Sequence, residues 1–184
     1  GHLLHKVKWL NMGGGHHITR ADYDVEHLIR IIKRIKQKYN VQVILEPGEA
    51  IGWQTGYLLT TVIDIVHNNG MNIAIIDSSF ANHMPDCLEM PYKPKVLDAV
   101  ENGKFSYSIG GITCLAGDYM KDFRFDRELH IGDKIIFDDM IHYTMVKTTT
   151  FNGVNLPNIA VITQENKLKV LKKFGFEDYK NRLS

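Results

Sequence analysis

The spacing of apolar residues changes along the chain and divides it. Val7-Lys8-Trp9-Leu10-Asn11-Met12 and Val41-Gln42-Val43-Ile44 are short apolar runs that predict buried strands. Each ends in a glycine turn: Gly13-Gly14-Gly15-His16-His17 after the first, Glu46-Pro47-Gly48-Glu49 after the second. Between them Val25, Leu28, Ile29, Ile32 and Ile35 recur at helical spacing. They predict a helix capped by Thr19, Asp22 or Asp24, running to about Lys38 and ending at Asn40. Arg30, Lys33, Arg34, Lys36 and Lys38 cover its other side and read as a solvated face. Strand, loop, helix and strand make a β-loop-α-β unit, whose loops meet at the carboxyl ends of the strands, where α/β folds bind ligands.

Beyond Gly52 the pattern becomes one of strands. Tyr57–Val66 reads as a strand, Asn69-Gly70 as a hairpin turn, and Asn72–Asp77 as the returning strand. Phe105–Ile109, Lys134–Phe137 and Thr144 to Phe151 continue the series, predicting an antiparallel β domain. Gln164 to Ser184 reads as a helix broken near Gly175, and Asn82 to Pro94 as a proline-bracketed loop. The expected division is residues 1–52, α/β, and 53–184, mainly β with a terminal helix. One helix on two parallel strands leaves sheet edges open, so the first part is expected to need more chain.

Composition narrows the classes. A formal charge of +1 with 23% charged residues among 184 gives no footprint for nucleic acid, and no apolar run has the length to cross a bilayer. Cys87 and Cys114 form neither a CxxC nor a disulfide framework, which suits a reducing, cytoplasmic setting.

The chemistry-bearing residues admit two readings each. Gly13, Gly14 and Gly15 make either a tight turn or a nest of N–H groups for a phosphate; no GxGxxG or GxxxxGK[ST] pattern is present. Adjacent histidines in a strand diverge, so His16 and His17 suit a ring-bearing ligand better than a shared metal, and no metal site is expected. Cys114, between glycines and followed by Asp118, is a small buried residue or a proton donor to a reacting carbon. Tyr143 is core, or offers its hydroxyl to a phosphate. Asp86 and Glu89 sit on a solvated loop, or form an acidic subsite for a cationic substrate.

In order along the chain, the Gly-Gly-Gly loop at 13–15, Glu46-Pro47-Gly48, the Cys114–Asp118 loop and Gly132-Asp133 leading to Tyr143 resemble the pyridoxal-phosphate decarboxylases of the alanine-racemase-like class. The resemblance implies the last part of a cofactor-binding β/α (TIM-like) barrel followed by a C-terminal antiparallel β domain. It implies pyridoxal 5'-phosphate as cofactor, with Gly13, Gly14, Gly15, His16, Glu46, Gly48 and Tyr143 around it. It also implies a homodimer in which Cys114, with Asp118 nearby, comes from the partner subunit and returns a proton to the carbon that CO₂ has left.

The departures from that family are specific. Glu49 stands where most relatives have an arginine, Leu115 where some have an acid, and His83–Tyr92 replaces an arginine-bearing stretch. Acid in place of arginine reverses the charge preferred at the far end of the substrate, from carboxylate to amine. The resemblance therefore implies the polyamine-forming branch of the family, with Glu49, Asp86 and Glu89 toward a cationic polyamine tail. A diaminopimelate- or ornithine-type decarboxylase, or a non-catalytic binding or dimerisation module, are the alternatives. No lysine matches the family's cofactor-binding lysine on the first barrel strand, so the chain is expected to be a C-terminal half that needs the N-terminal barrel half to work.

Overall fold

Strand β1 (Trp9–Asn11) follows a 3-10 turn at His2–Lys6 and runs parallel to β2 (Gln42–Ile44), with Trp9 opposite Gln42 and Asn11 opposite Ile44. Parallel neighbours require a crossover, and helix α1 (Val25–Tyr39) provides it. Asp24 is its cap: the carboxylate accepts the His27 N–H at 2.7 Å. Asn40 ends it at φ 53°, ψ 44°, a left-handed conformation that asparagine tolerates. Pro47 then precedes a helical turn, α2 (Gly48–Gly52), so the proline-glycine turn opens a short helix. These elements belong to one compact unit, Gly1–Thr55, and the remainder, Gly56–Ser184, to a second. The computed structural model describes all 184 residues.

The second unit is built on a five-stranded sheet. Strands β3 (Tyr57–Asn68) and β4 (Met71–Ile76) form a hairpin whose turn residues, Asn69 and Gly70, both take positive φ (49° and 76°). That geometry selects Asn-Gly. Two helical turns follow, α3 (Phe80–His83) and α4 (Asp86–Glu89), and then β5 (Phe105–Gly110), β6 (Tyr119–Phe125) and β7 (Lys134–Asp138). The sheet order is β6-β5-β4-β3-β7. Alternation along β3 buries Leu58, Thr60 and Val62 and leaves Tyr57 and Leu59 outside. The core lies on the inner face, where Phe80 and Phe123 meet Phe137 edge-on at 5.7 and 6.4 Å. The chain closes with helical turn α5 (Tyr143–Val146), the hairpin β8 (Ile159–Ile162) and β9 (Leu168–Lys172), and helix α6 (Phe176–Leu183).

Four expectations are corrected, and one strand that the spacing did not predict is present. The sheet is mixed, because β4 and β5 pair in parallel across the long connection 77–104. Residues 82–94 include helical turns: Ser79 caps α3 by accepting the Asn82 N–H, and Cys87 is the buried residue of α4. Strand β6 escapes the pattern because Asp122, at φ 66°, accompanies a register shift that breaks the alternation. Thr144-Met145-Val146 is helical, capped by His142, whose ring accepts the Tyr143 N–H at 2.9 Å. The segment after Gln164 is first a strand, because Asn166 at φ 57° turns the chain back on β8 before α6 begins. No helix is long and apolar enough to cross a membrane.

Candidate active site

In the first unit the two glycine turns are joined at the carboxyl ends of β1 and β2. The Gly13 N–H donates to Asn11 Oδ1 at 2.7 Å, and the Glu46 N–H donates to the Gly13 carbonyl at 2.9 Å. Asn11 Nδ2 donates to Glu46 Oε1 at 2.5 Å, so one asparagine fixes both the glycine loop and the carboxylate. Gly13 needs its positive φ of 78°, and a Cβ on Gly14 would lie 2.4 Å from the Glu46 carbonyl oxygen. A Cβ on Gly15 or Gly48 would meet nothing within 4 Å. The backbone there borders open space that a phosphate or ring can enter.

The two histidines lie in the loop after β1 and not in a strand, which corrects the diverging arrangement expected of them. His16 Nε2 faces the Met12 carbonyl at 3.3 Å, which only accepts, so this nitrogen carries the proton. Nδ1 then accepts from the Tyr23 hydroxyl at 2.9 Å. His17 presents Nε2 to Glu49 at 3.6 Å and packs edge-on to Trp53, with ring centroids 5.9 Å apart. Glu49 therefore faces a histidine, and Arg20 is taken by Asp22 through two hydrogen bonds of 2.9 and 2.6 Å.

In the second unit Cys114 is exposed, whereas Asp118, four residues on, is 4% exposed. The Asp118 carboxylate accepts from the Thr113 hydroxyl (2.6 Å), the Thr113 N–H (3.2 Å) and the Ala81 N–H (3.1 Å). It also presses on Gly111, where a Cβ would lie 2.3 Å from Oδ2. Asp118 thus shapes the cysteine loop from within. Cys114 donates its own N–H to Asn152 Oδ1 at 2.9 Å.

Asp86 and Glu89, on the exposed side of α4, are both engaged by Lys147, whose Nζ lies 2.5 Å from Asp86 Oδ1 and donates to Glu89 as well. The Asp86 bond, then the Glu89 bond, pulls the Lys147 ammonium up to about 12. The acid pair holds a primary ammonium supplied by this chain. Cys87 is the inert thiol: burial pushes it up to about 11. Tyr143, at the start of α5, is half exposed. Sequence reasoning missed Asn11, Tyr23, Lys147 and Asn152. Only Asn152 had a signal, the Asn-Gly pair at 152–153, which marks a left-handed turn.

Residues 23–141 match the family described as pyridoxal-dependent decarboxylase, C-terminal sheet domain, and the chain belongs to that family. It is 48% identical, over 99% of its length, to the carboxynorspermidine/carboxyspermidine decarboxylase of Campylobacter jejuni, of which it covers 51%. It is also 48% identical, over 100% of its length, to the carboxyaminopropylagmatine decarboxylase of Synechocystis, of which it covers 48%. The crystal structure of the Campylobacter jejuni carboxynorspermidine decarboxylase complexed with norspermidine superposes with a TM-score of 0.87 at 48% identity, over 99% of this chain and 53% of that one. The chain spans about half the length of the curated relatives it matches.

Proposed function

We propose that this chain serves in a pyridoxal-dependent carboxy-lyase that converts carboxynorspermidine and carboxyspermidine to norspermidine and spermidine. The observation that carries this reading is the 48% identity, over 99% of the chain, to a relative of that name. In this reading residues 1–52 belong to the end of a β/α barrel and 53–184 form the C-terminal sheet domain of a homodimer.

The residues suit pyridoxal phosphate: Gly15 and Gly48 border open space, and Gly14 sits against Glu46 with no room for a side chain. Gly13, Gly14, Gly15 and Gly48 would hold the phosphate, His16 and Glu46 would face the ring, and the Tyr143 hydroxyl is the further group assigned to the cofactor. When bound, the cofactor supplies an electron sink for loss of CO₂. Asn11 keeps Glu46 oriented, and Tyr23 fixes the His16 ring with its proton on Nε2. Cys114, supplied by the partner subunit, holds the proton that returns to the substrate α-carbon, and Asp118 keeps its loop in shape. Glu49, Asp86 and Glu89 select a cationic tail, because a carboxylate-ended substrate would meet like charge there. A tail ending in a guanidinium is the second substrate form, favoured by the equal identity to the Synechocystis relative.

The test is product formation by the intact protein loaded with pyridoxal phosphate and given carboxynorspermidine. Norspermidine should appear, and Cys114→Ser should slow it by roughly 10²-fold, the scale of one general acid. Absence of norspermidine from cofactor-loaded, folded protein would overturn the reading.

A further inference from the structure

We infer that Asn152 is a positioning residue for Cys114, and that it acts with Asp118 through a single helical turn, α3. This rests on the reading of Cys114 as proton donor. Asn152 lies in the 3-10 turn Phe151–Gly153 at φ 60°, ψ 17°, and its amide oxygen accepts the Cys114 N–H across 38 positions of sequence. The turn that carries it is anchored from below. Asn82, with no exposed surface, donates from Nδ2 to the Phe151 carbonyl at 2.9 Å. Its Oδ1 accepts the Thr149 hydroxyl at 3.2 Å, and its backbone carbonyl accepts the Thr149 N–H at 2.9 Å. The preceding residue of α3, Ala81, donates its N–H to Asp118, which in turn holds both polar donors of Thr113.

Two chains of hydrogen bonds therefore leave neighbouring residues of α3 and arrive at neighbouring residues of the loop. One runs from Ala81 through Asp118 to Thr113, the other from Asn82 through the 149–152 segment to Cys114. Leu115, Ala116 and Gly117, beyond the second anchor, are exposed. With the backbone pinned at Thr113 and Cys114, the thiol is left the few staggered rotamers of one side chain. A proton donor must sit within hydrogen-bond reach of its target carbon, and displacement of about 1 Å costs on the order of 10²-fold. The side-chain oxygen of Asn152 fixes the donor without touching the reacting atoms. Asparagine is suited to the place twice over, since it tolerates left-handed φ and presents an acceptor.

The experiment compares Asn152→Gly, which keeps the left-handed turn and removes the acceptor, with Asn152→Asp, which keeps both, in the intact, cofactor-loaded protein. Two readouts are taken: steady-state kinetics, and the rate at which iodoacetamide alkylates Cys114, followed by mass spectrometry. The buried Cys87 serves as the internal reference for folding. Asn152→Gly should raise Cys114 alkylation about fivefold, the worth of one hydrogen bond. It should also lower kcat about tenfold with little change in KM, with Cys87 unmodified, and Asn152→Asp should restore both. Alkylation and kcat at parental values in Asn152→Gly would overturn the inference. A Cys114→Ser variant that turns over at the parental rate would instead overturn the proton-donor reading, and the alkylation rates would still decide whether Asn152 positions the thiol.

Discussion

The Glu46 carbonyl oxygen occupies the place a Gly14 side chain would take, 2.4 Å from an ideal Cβ. One glycine turn is therefore built against the backbone of the other, and the pair acts as a single structure. Gly14→Ala should force the loops apart, costing about 1–3 kcal/mol of stability and weakening pyridoxal phosphate binding. Gly15→Ala meets nothing within 4 Å and should leave the melting temperature unchanged while lowering cofactor affinity. Titration of the cofactor by absorbance, beside a thermal melt, separates the two effects. Equal cofactor affinity in Gly15→Ala and the parent would remove Gly15 from the phosphate site.

Lys147 holds Asp86 and Glu89 as a substrate ammonium would. Asp86→Asn should raise KM for carboxynorspermidine about tenfold, the scale of one charge-assisted hydrogen bond, with kcat changed less. Lys147→Met frees the acids and should lower KM. A KM unchanged in Asp86→Asn would place the cationic tail elsewhere.

His83 is 3% exposed, and burial pushes its imidazole down to about 4 from an ordinary value of 6.5, against a smaller opposing pull from the Asn155 backbone. Below pH 6.5 the unfolded chain takes up a proton that the folded protein refuses until about pH 4. Stability should therefore fall as pH drops through that window, by about 3 kcal/mol in all. Urea unfolding at pH 7, 5.5 and 4.5 should show the slope, and His83→Gln should flatten it. An identical slope in that variant would assign the acid sensitivity to other groups.

Gly132 takes φ 96°, outside the range of ordinary side chains, and its N–H donates to the Val62 carbonyl at 2.8 Å. The following Asp133 accepts the His130 N–H at 2.8 Å, closing the turn before β7. Gly132→Ala should cost about 1–3 kcal/mol without altering KM, read as a lower urea midpoint at constant slope.

Much of this was legible where one residue type dictates a local conformation. Asp24 and Asn40 bound the long helix, and Asn69-Gly70 sets the hairpin, because a cap and a primed turn each need particular side chains. The glycine turns and the Cys114 loop were legible as motifs. What was not legible depends on distant partners. β4 and β5 pair in parallel through a connection that sequence periodicity does not record. β6 hides behind the register shift at Asp122, and β9 reads as helical until Asn166 turns it onto β8. In the site, Asp118 was expected as an acid near Cys114, and its place under the loop is fixed by donors from Thr113 and Ala81. Asp86 and Glu89 were expected open to substrate, and a lysine 61 positions from Asp86 holds both. None of these pairings leaves a trace in local spacing.

The most direct measurement is kcat/KM of the intact, cofactor-loaded protein for carboxynorspermidine beside meso-diaminopimelate and ornithine. Carboxynorspermidine should lead by at least about 10²-fold, since in the proposed reading diaminopimelate brings a second carboxylate where a cation is preferred and ornithine offers one short ammonium in place of a polyamine tail. Preference for diaminopimelate or ornithine would contradict the account.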